Sequence, residues 1–198
     1  MYWYEDEVKR LEKDRFKIHY EPETLFYGSS TIRLWDNLYH DFAELKPINL
    51  GFGGSTLAAC VWFFERIMVP YDPKRLIIYA GDNDLGDGRH PEEVFIFFQQ
   101  LMVKVDKRFG EIPVYFVSLK PSIERWRMAD QFKYANNLIE NEIVKCDNNW
   151  RFINIFKEML DAHGKPKKEY FVPDGLHLSH KGYHLWGHVI GNRIRGNQ

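Results

Sequence analysis

Leu76-Ile77-Ile78-Tyr79-Ala80, followed directly by Gly81-Asp82-Asn83-Asp84, decides the architecture. An unbroken apolar run that stops on a glycine and polar side chains marks a strand covered on both faces, as in a parallel sheet. Strand, tight turn and helix recur in that order on either side of it. Upstream, Leu25-Phe26-Tyr27 runs into Gly28-Ser29-Ser30, and a helix is expected over residues 32–42. Ile48-Asn49-Leu50 then meets Gly51-Phe52-Gly53-Gly54, after which Ser55 or Thr56 caps a helix reaching about Met68, before Pro70. Downstream, Pro91 opens a helix to about Arg108, and residues 114–118 and 152–155 read as the fourth and fifth strands. Residues 123–144 and the series Tyr183, Trp186, Ile190, Ile194 carry helical spacing, and residues 3–15 form a short surface helix. The alternation predicts an α/β fold, a mostly parallel five-stranded sheet with helices on both faces and ligands bound beyond the carboxyl ends of the strands. No repeat or linker interrupts it, so residues 1–198 read as one domain.

The 27 basic and 28 acidic side chains are well mixed and leave a formal net charge of −1, without the positive footprint that nucleic acid or an anionic membrane requires. A small-molecule partner is expected instead. Cys60 and Cys146 cannot build a disulfide framework, and Cys60 sits in an apolar run as a packed thiol. The N-terminus is charged by Glu5 and shows no secretory leader, and the longest apolar run, residues 57–64, is far short of the ~20 residues that cross a bilayer. These features point to a cytoplasmic protein that does not enter membranes. The six tryptophans are read as core side chains rather than sugar platforms.

The chemistry lies in residues far apart in the chain. A serine hydroxyl is a poor nucleophile until an imidazole takes its proton, and the imidazole works best when a carboxylate fixes its tautomer. Asp174-Gly175-Leu176-His177 offers that pair across one short turn, and Ser30, at a strand-to-helix junction, offers the hydroxyl. Acyl transfer also needs donors for the oxyanion of its tetrahedral intermediate. The amides of Ser30 and Gly54 and the side chain of Asn83 would supply them if the first three strands are neighbours.

These four blocks, spanning residues 28–177, resemble those of the SGNH hydrolase superfamily, the GDSL-type esterases and lipases. Gly81-Asp82-Asn83-Asp84 meets the third block's Gly-x-Asn-Asp in full, and Asp174 and His177 fall on the last block's Asp-x-x-His. Gly54 falls on the oxyanion glycine of the second. Gly28-Ser29-Ser30 departs from the first block by placing Ser29 where aspartate is usual. The resemblance implies a flavodoxin-like three-layer α/β/α sandwich, no metal or other cofactor, and hydrolysis of a small-molecule ester through an acyl-enzyme on Ser30. Catalysis would rest on Ser30, Asp174 and His177, and the oxyanion on Ser30, Gly54 and Asn83. The α/β-hydrolase elbow Gly-x-Ser-x-Gly is absent.

Other residues have plainer readings. Gly51 and Gly53 are taken as turn glycines that permit positive φ, and Asp82 and Asp84 as braces of their loop. His180, His184 and His188 follow one helix face, but no Glu or Cys ligand stands among them for a metal. An EF-hand counted from Asp82 puts Asp87 where glycine is required, and residues 51–56 lack the third glycine of a dinucleotide fingerprint. Arg33, and Arg125 with Trp126, are read either as contacts to a polar leaving group or as an ion pair and packing. Without a long insertion to act as a lid, the expected substrates are small-acyl esters, including acetyl groups on carbohydrate. The alternatives are a lysophospholipase or thioesterase of the same fold, and a non-catalytic carbohydrate-binding or scaffold protein.

Overall fold

Successive side chains of each strand point to opposite sides of the sheet, and helices cover both sides, which is why the strands read as continuous apolar runs. The computed structural model describes residues 1–146 and 149–196. Its strands are β1 (Thr24–Gly28), β2 (Pro47–Gly51), β3 (Arg75–Tyr79), β4 (Val114–Val117) and β5 (Trp150–Ile153). All neighbours pair in parallel, in the order β2-β1-β3-β4-β5, the flavodoxin-like order. The helices are α1 (Glu5–Asp14), α2 (Ser30–Arg33), α3 (Leu38–Asp41) and α4 (Leu57–Ile67), then α5 (Asp82–Gly86), α6 (Pro91–Phe109), α7 (Ala129–Lys145) and α8 (His180–Arg195).

Leu25, Tyr27, Leu76, Ile78, Val114 and Phe116 meet Val8, Phe63, Phe98 and Ile139, from α1, α4, α6 and α7, on one face. Phe26, Ile77, Tyr79, Tyr115 and Val117 meet Ile32, Leu38, Trp186 and Ile190, from α2, α3 and α8, on the other. The three-layer α/β/α arrangement follows. No helix among the described residues is long and apolar enough to cross a membrane.

Two elements differ from expectation. The helix expected over residues 32–42 is split into α2 and α3 around Trp35, whose ring is buried against Phe26, Phe42 and Trp186. Its indole N–H donates to the Asp41 carboxylate at 2.8 Å, and the intervening Asp36 and Asn37 are weak helix formers left exposed. The last strand lies two residues earlier than residues 152–155. Trp150 pairs with Val114, and by Ile155 the chain has already turned, its N–H donating to Ile153 O and Ser118 Oγ. Ile155 is buried outside the strand, so apolar pattern alone misplaced the boundary.

Three tryptophans, Trp35, Trp150 and Trp186, fill the core as expected, whereas Trp3 and Trp62 stand on the surface. Cys60 is a fully buried thiol, and its ionisation is pushed far up by that burial.

Candidate active site

The register of the sheet brings three turns to one level. Gly28 pairs with Gly51 on one side and with Tyr79 on the other, so β1, β2 and β3 end together. β1 lies where the strand order reverses, the point at which open α/β sheets bind ligands. Beyond the ladder, Phe52 N–H and Ser55 Oγ both donate to Gly28 O at 3.0 Å, and Ser29 N–H donates to Tyr79 O at 3.0 Å.

Two glycines make this convergence possible. A Cβ on Gly28, at φ 145°, would lie 1.8 Å from Tyr79 O, and one on Gly51 would lie 2.2 Å from Arg33 N. The expectation of positive φ at Gly51 and Gly53 is therefore corrected: Gly54 takes it, at 66°, and Gly51 is required by close approach instead.

Ser30 opens α2, half-buried, with its Oγ 3.3 Å from Nε2 of His177. Nδ1 of the same ring lies 2.7 Å from Asp174 Oδ2, a geometry that places the ring proton on Nδ1 and leaves the Nε2 lone pair facing the hydroxyl. The other carboxylate oxygen, Asp174 Oδ1, accepts from Leu176 N–H at 2.8 Å and His177 N–H at 2.9 Å. Partial burial pushes this carboxyl up, but the imidazole and the two amides outweigh it and hold the group down at about 2. Asp174 is thus an ionised partner for the ring at any ordinary pH.

The loop carrying both residues is itself pinned. Val172 N–H donates to His177 O, Phe171 bridges Leu178, and Gly175 O accepts from Ile123 and Glu124 N–H beyond the end of β4. Ser179 then caps α8 through Gly182 N–H.

No acceptor among the described residues takes up the N–H of Ser30 or Gly54. Asn83 stands in α5, which replaces the loop expected there, after Gly81 at φ 121°. Its Nδ2 donates to Ser55 O at 3.0 Å, leaving one N–H of the carboxamide uncommitted. The structure thus brings Ser30, Gly54, Asn83, Asp174 and His177 to one edge of the sheet, and an ester carbonyl over Ser30 can meet nucleophile, base and donors together.

Several supporting residues act through partners distant in the sequence. Arg125 donates to Asp82 O at 2.8 Å and to Asn83 Oδ1 at 3.1 Å, and its guanidinium covers Gly86, where a Cβ would lie 2.6 Å from Cζ. Arg125 thus both anchors Asn83 and packs over Gly86, and Arg33 makes an ion pair with Glu7 at 2.8 Å. Asp84 accepts from Leu57 N–H at 2.6 Å and so holds the start of α4, beside the side-chain cap from Thr56. Burial pushes the Asp84 carboxyl up to about 6, against those amides and Arg89. Buried Lys120 lies 3.5 Å from Asp82 Oδ2, and burial lowers the ammonium's pKa against the pull of that carboxylate. Ser29 is buried, and its Oγ meets no partner among the described residues. His180, His184 and His188 stand exposed on α8.

Residues 24–185 match the model of the GDSL-like lipase/acylhydrolase family. No curated protein sequence matches the chain. Among solved structures, one from Streptococcus pneumonia, whose name refers to platelet activating factor, superposes with a TM-score of 0.83 at 20% identity, over 97% of this chain and 94% of that one. A GDSL-like lipase from Bacteroides thetaiotaomicron gives 0.79 at 20% identity, over 96% and 98%. A variant of an acetyl-xylooligosaccharide esterase from Geobacillus Stearmophilus gives 0.71 at 13% identity, over 88% and 94%. At these identities the likeness is one of fold.

Proposed function

The chain belongs to the GDSL-like lipase/acylhydrolase family and is a hydrolase of esters, and on that premise we propose that it cleaves small-acyl esters through an acyl-enzyme on Ser30. The observation that carries this reading is the unbroken relay from Ser30 Oγ to His177 at 3.3 Å and from His177 to Asp174 at 2.7 Å. His177 Nε2 takes the Ser30 proton as Oγ attacks the ester carbonyl, and Asp174 steadies the imidazolium that forms. The oxyanion is received by Ser30 N–H, Gly54 N–H and the free N–H of Asn83, each worth about 10²–10³ in rate. Collapse of the tetrahedral intermediate expels the alcohol, which leaves with the proton from His177. Water, deprotonated by the same ring, then attacks the acyl-serine and restores the free enzyme. The first distance shortens as substrate closes over the site, as is usual for catalytic hydrogen bonds.

The substrate class is read from the surroundings of the ring. A cavity of about 530 Å³ abuts His177 and Asp174, and Asp36, Asn37 and His180 line it together with the larger apolar share, Leu34, Trp35, Val172, Leu178 and Tyr183. Asp36, Asn37 and His180 offer hydrogen-bonding groups to a polar alcohol, as in an acetylated sugar, beside these apolar side chains. The acetyl-xylooligosaccharide esterase among the structural neighbours fits the same reading.

Fluorophosphonate labelling and turnover of p-nitrophenyl acetate, both expected of the native chain, vanish on Ser30→Ala in folded protein. Unchanged turnover by Ser30→Ala overturns the assignment. A panel of acetylated sugars against longer p-nitrophenyl esters tests the substrate class, and a preference for long acyl chains refutes it.

A further inference from the structure

Three side chains at every third position of the N-terminal segment reach the glycine turn after β2. The Tyr4 hydroxyl donates to Gly54 O at 3.0 Å, Glu7 Oε2 accepts from Gly53 N–H at 3.0 Å, and Arg10 donates to Gly51 O at 3.0 Å. The segment is docked by burial of Tyr4, Val8 and Leu11, with the Tyr4 ring edge-on to Phe52 and Phe63. The same Glu7 oxygen lies 2.8 Å from Arg33 Nε, tying the turn to the far end of the helix that Ser30 opens.

The peptide between Gly53 and Gly54 carries the N–H that serves as an oxyanion donor. The peptide before it is held through Gly53 N–H, and the one after it through Gly54 O. Left alone, consecutive glycines sample both signs of φ, and no heavy atom lies within 4 Å of a Cβ position on Gly54 to restrict it. A flip of the central peptide would turn its carbonyl toward the oxyanion, replacing attraction with repulsion. We propose that Tyr4 and Glu7 are positioning residues that hold the Gly54 N–H aimed at the oxyanion, a role that rests on the serine esterase reading. Both lie outside residues 24–185, the span matched by the family model. Glu7 stays ionised where it stands, because Gly53 N–H, Arg10 and Arg33 together outweigh the upward push of burial and bring its carboxyl below the usual range.

The test compares full-length wild type with Tyr4→Phe, Glu7→Ala and Glu7→Gln on p-nitrophenyl acetate and on its thiono analogue, whose sulfur gains little from N–H donors. Tyr4→Phe and Glu7→Ala are each expected to lower kcat on the ester about 10-fold with KM changed less than about twofold, and to lower the ester-to-thionoester ratio by a similar factor. Glu7→Gln, which still offers an oxygen to Gly53 N–H, recovers most of the loss. Wild-type kcat in Tyr4→Phe and Glu7→Ala overturns the proposal, and so does a fall in kcat that leaves the ratio unchanged. Tyr4→Phe removes one oxygen atom only, so it decides the matter if Glu7→Ala fails to fold. Ser30→Ala run alongside separates the two readings. Turnover surviving there refutes the serine mechanism itself, whereas an inactive Ser30→Ala beside unaffected Tyr4→Phe and Glu7→Ala refutes the positioning role alone.

Discussion

Arg125 donates to Asn83 Oδ1 at 3.1 Å, and because a guanidinium only donates, this contact fixes the carboxamide with its oxygen toward Arg125 and its Nδ2 toward Ser55 O. Arg125→Met frees the carboxamide to rotate and also abandons Asp82 O. The expected loss in kcat/KM is about 10–100-fold, carried by kcat, within the ~10²–10³-fold loss expected of Asn83→Ala. Arg125→Lys stays close to Arg125→Met, since an ammonium cannot span both oxygens as the planar fork does. Steady-state kinetics on protein titrated with fluorophosphonate check this, and wild-type kcat in Arg125→Met contradicts it.

Asp174 binds its proton less tightly in the folded chain than in the unfolded one, its carboxyl lying at about 2 against an ordinary 3.8. The stability this adds is present above the unfolded value and is lost as pH falls through about 2. With the side chain 46% exposed, water screens that contribution and the consequence is catalytic. Over the working range Asp174 stays charged, so its own titration adds no step to the acid limb of log kcat/KM. A slope of two would place the carboxylate's titration in the same window. Asp174→Asn is expected to lower kcat by about 10³–10⁴-fold, through loss of the favoured tautomer.

Asp84 carries the opposite sign. Its folded carboxyl holds the proton more tightly than the unfolded chain does, at about 6 against 3.8. Its contribution to stability is therefore fully present below 3.8 and declines as pH rises through about 6. Chemical denaturation of wild type and Asp84→Asn at a series of pH values should show wild type losing about 3 kcal/mol relative to the variant across that window. A difference that stays flat between these pH values contradicts this account.

The strand ends were legible because each block couples an apolar run to a glycine, at Gly28 and Gly81 one that takes positive φ. The grouping of Ser30, Asp174 and His177 was legible for a related reason: Asp174 and His177 sit in a single turn, and Ser30 at a junction that the β-α alternation marks. The partners of Arg125, Asp84, Tyr4 and Glu7 left no such trace. Each of these residues acts on a partner more than 25 positions away, chosen only when the sheet order brings their elements together. The division of residues 32–42 was likewise hidden, since burial of Trp35 between the sheet and α8, rather than any helix-breaking proline or glycine, divides that stretch.

The hydrogen bonds within residues 172–178 join Asp174 and His177 into one short hairpin, while Ser30, Gly54 and Asn83 follow the ends of β1, β2 and β3. These two parts meet where Ser30 Oγ faces His177 Nε2, and the hairpin is held there by the bonds from Ile123 and Glu124 N–H to Gly175 O. An outward swing of the hairpin, which has to break those two Gly175 bonds, would separate Ser30 from the ring while leaving the carboxylate and imidazole engaged with each other. Inactivation by that route would be reversible and would require no unfolding of either part.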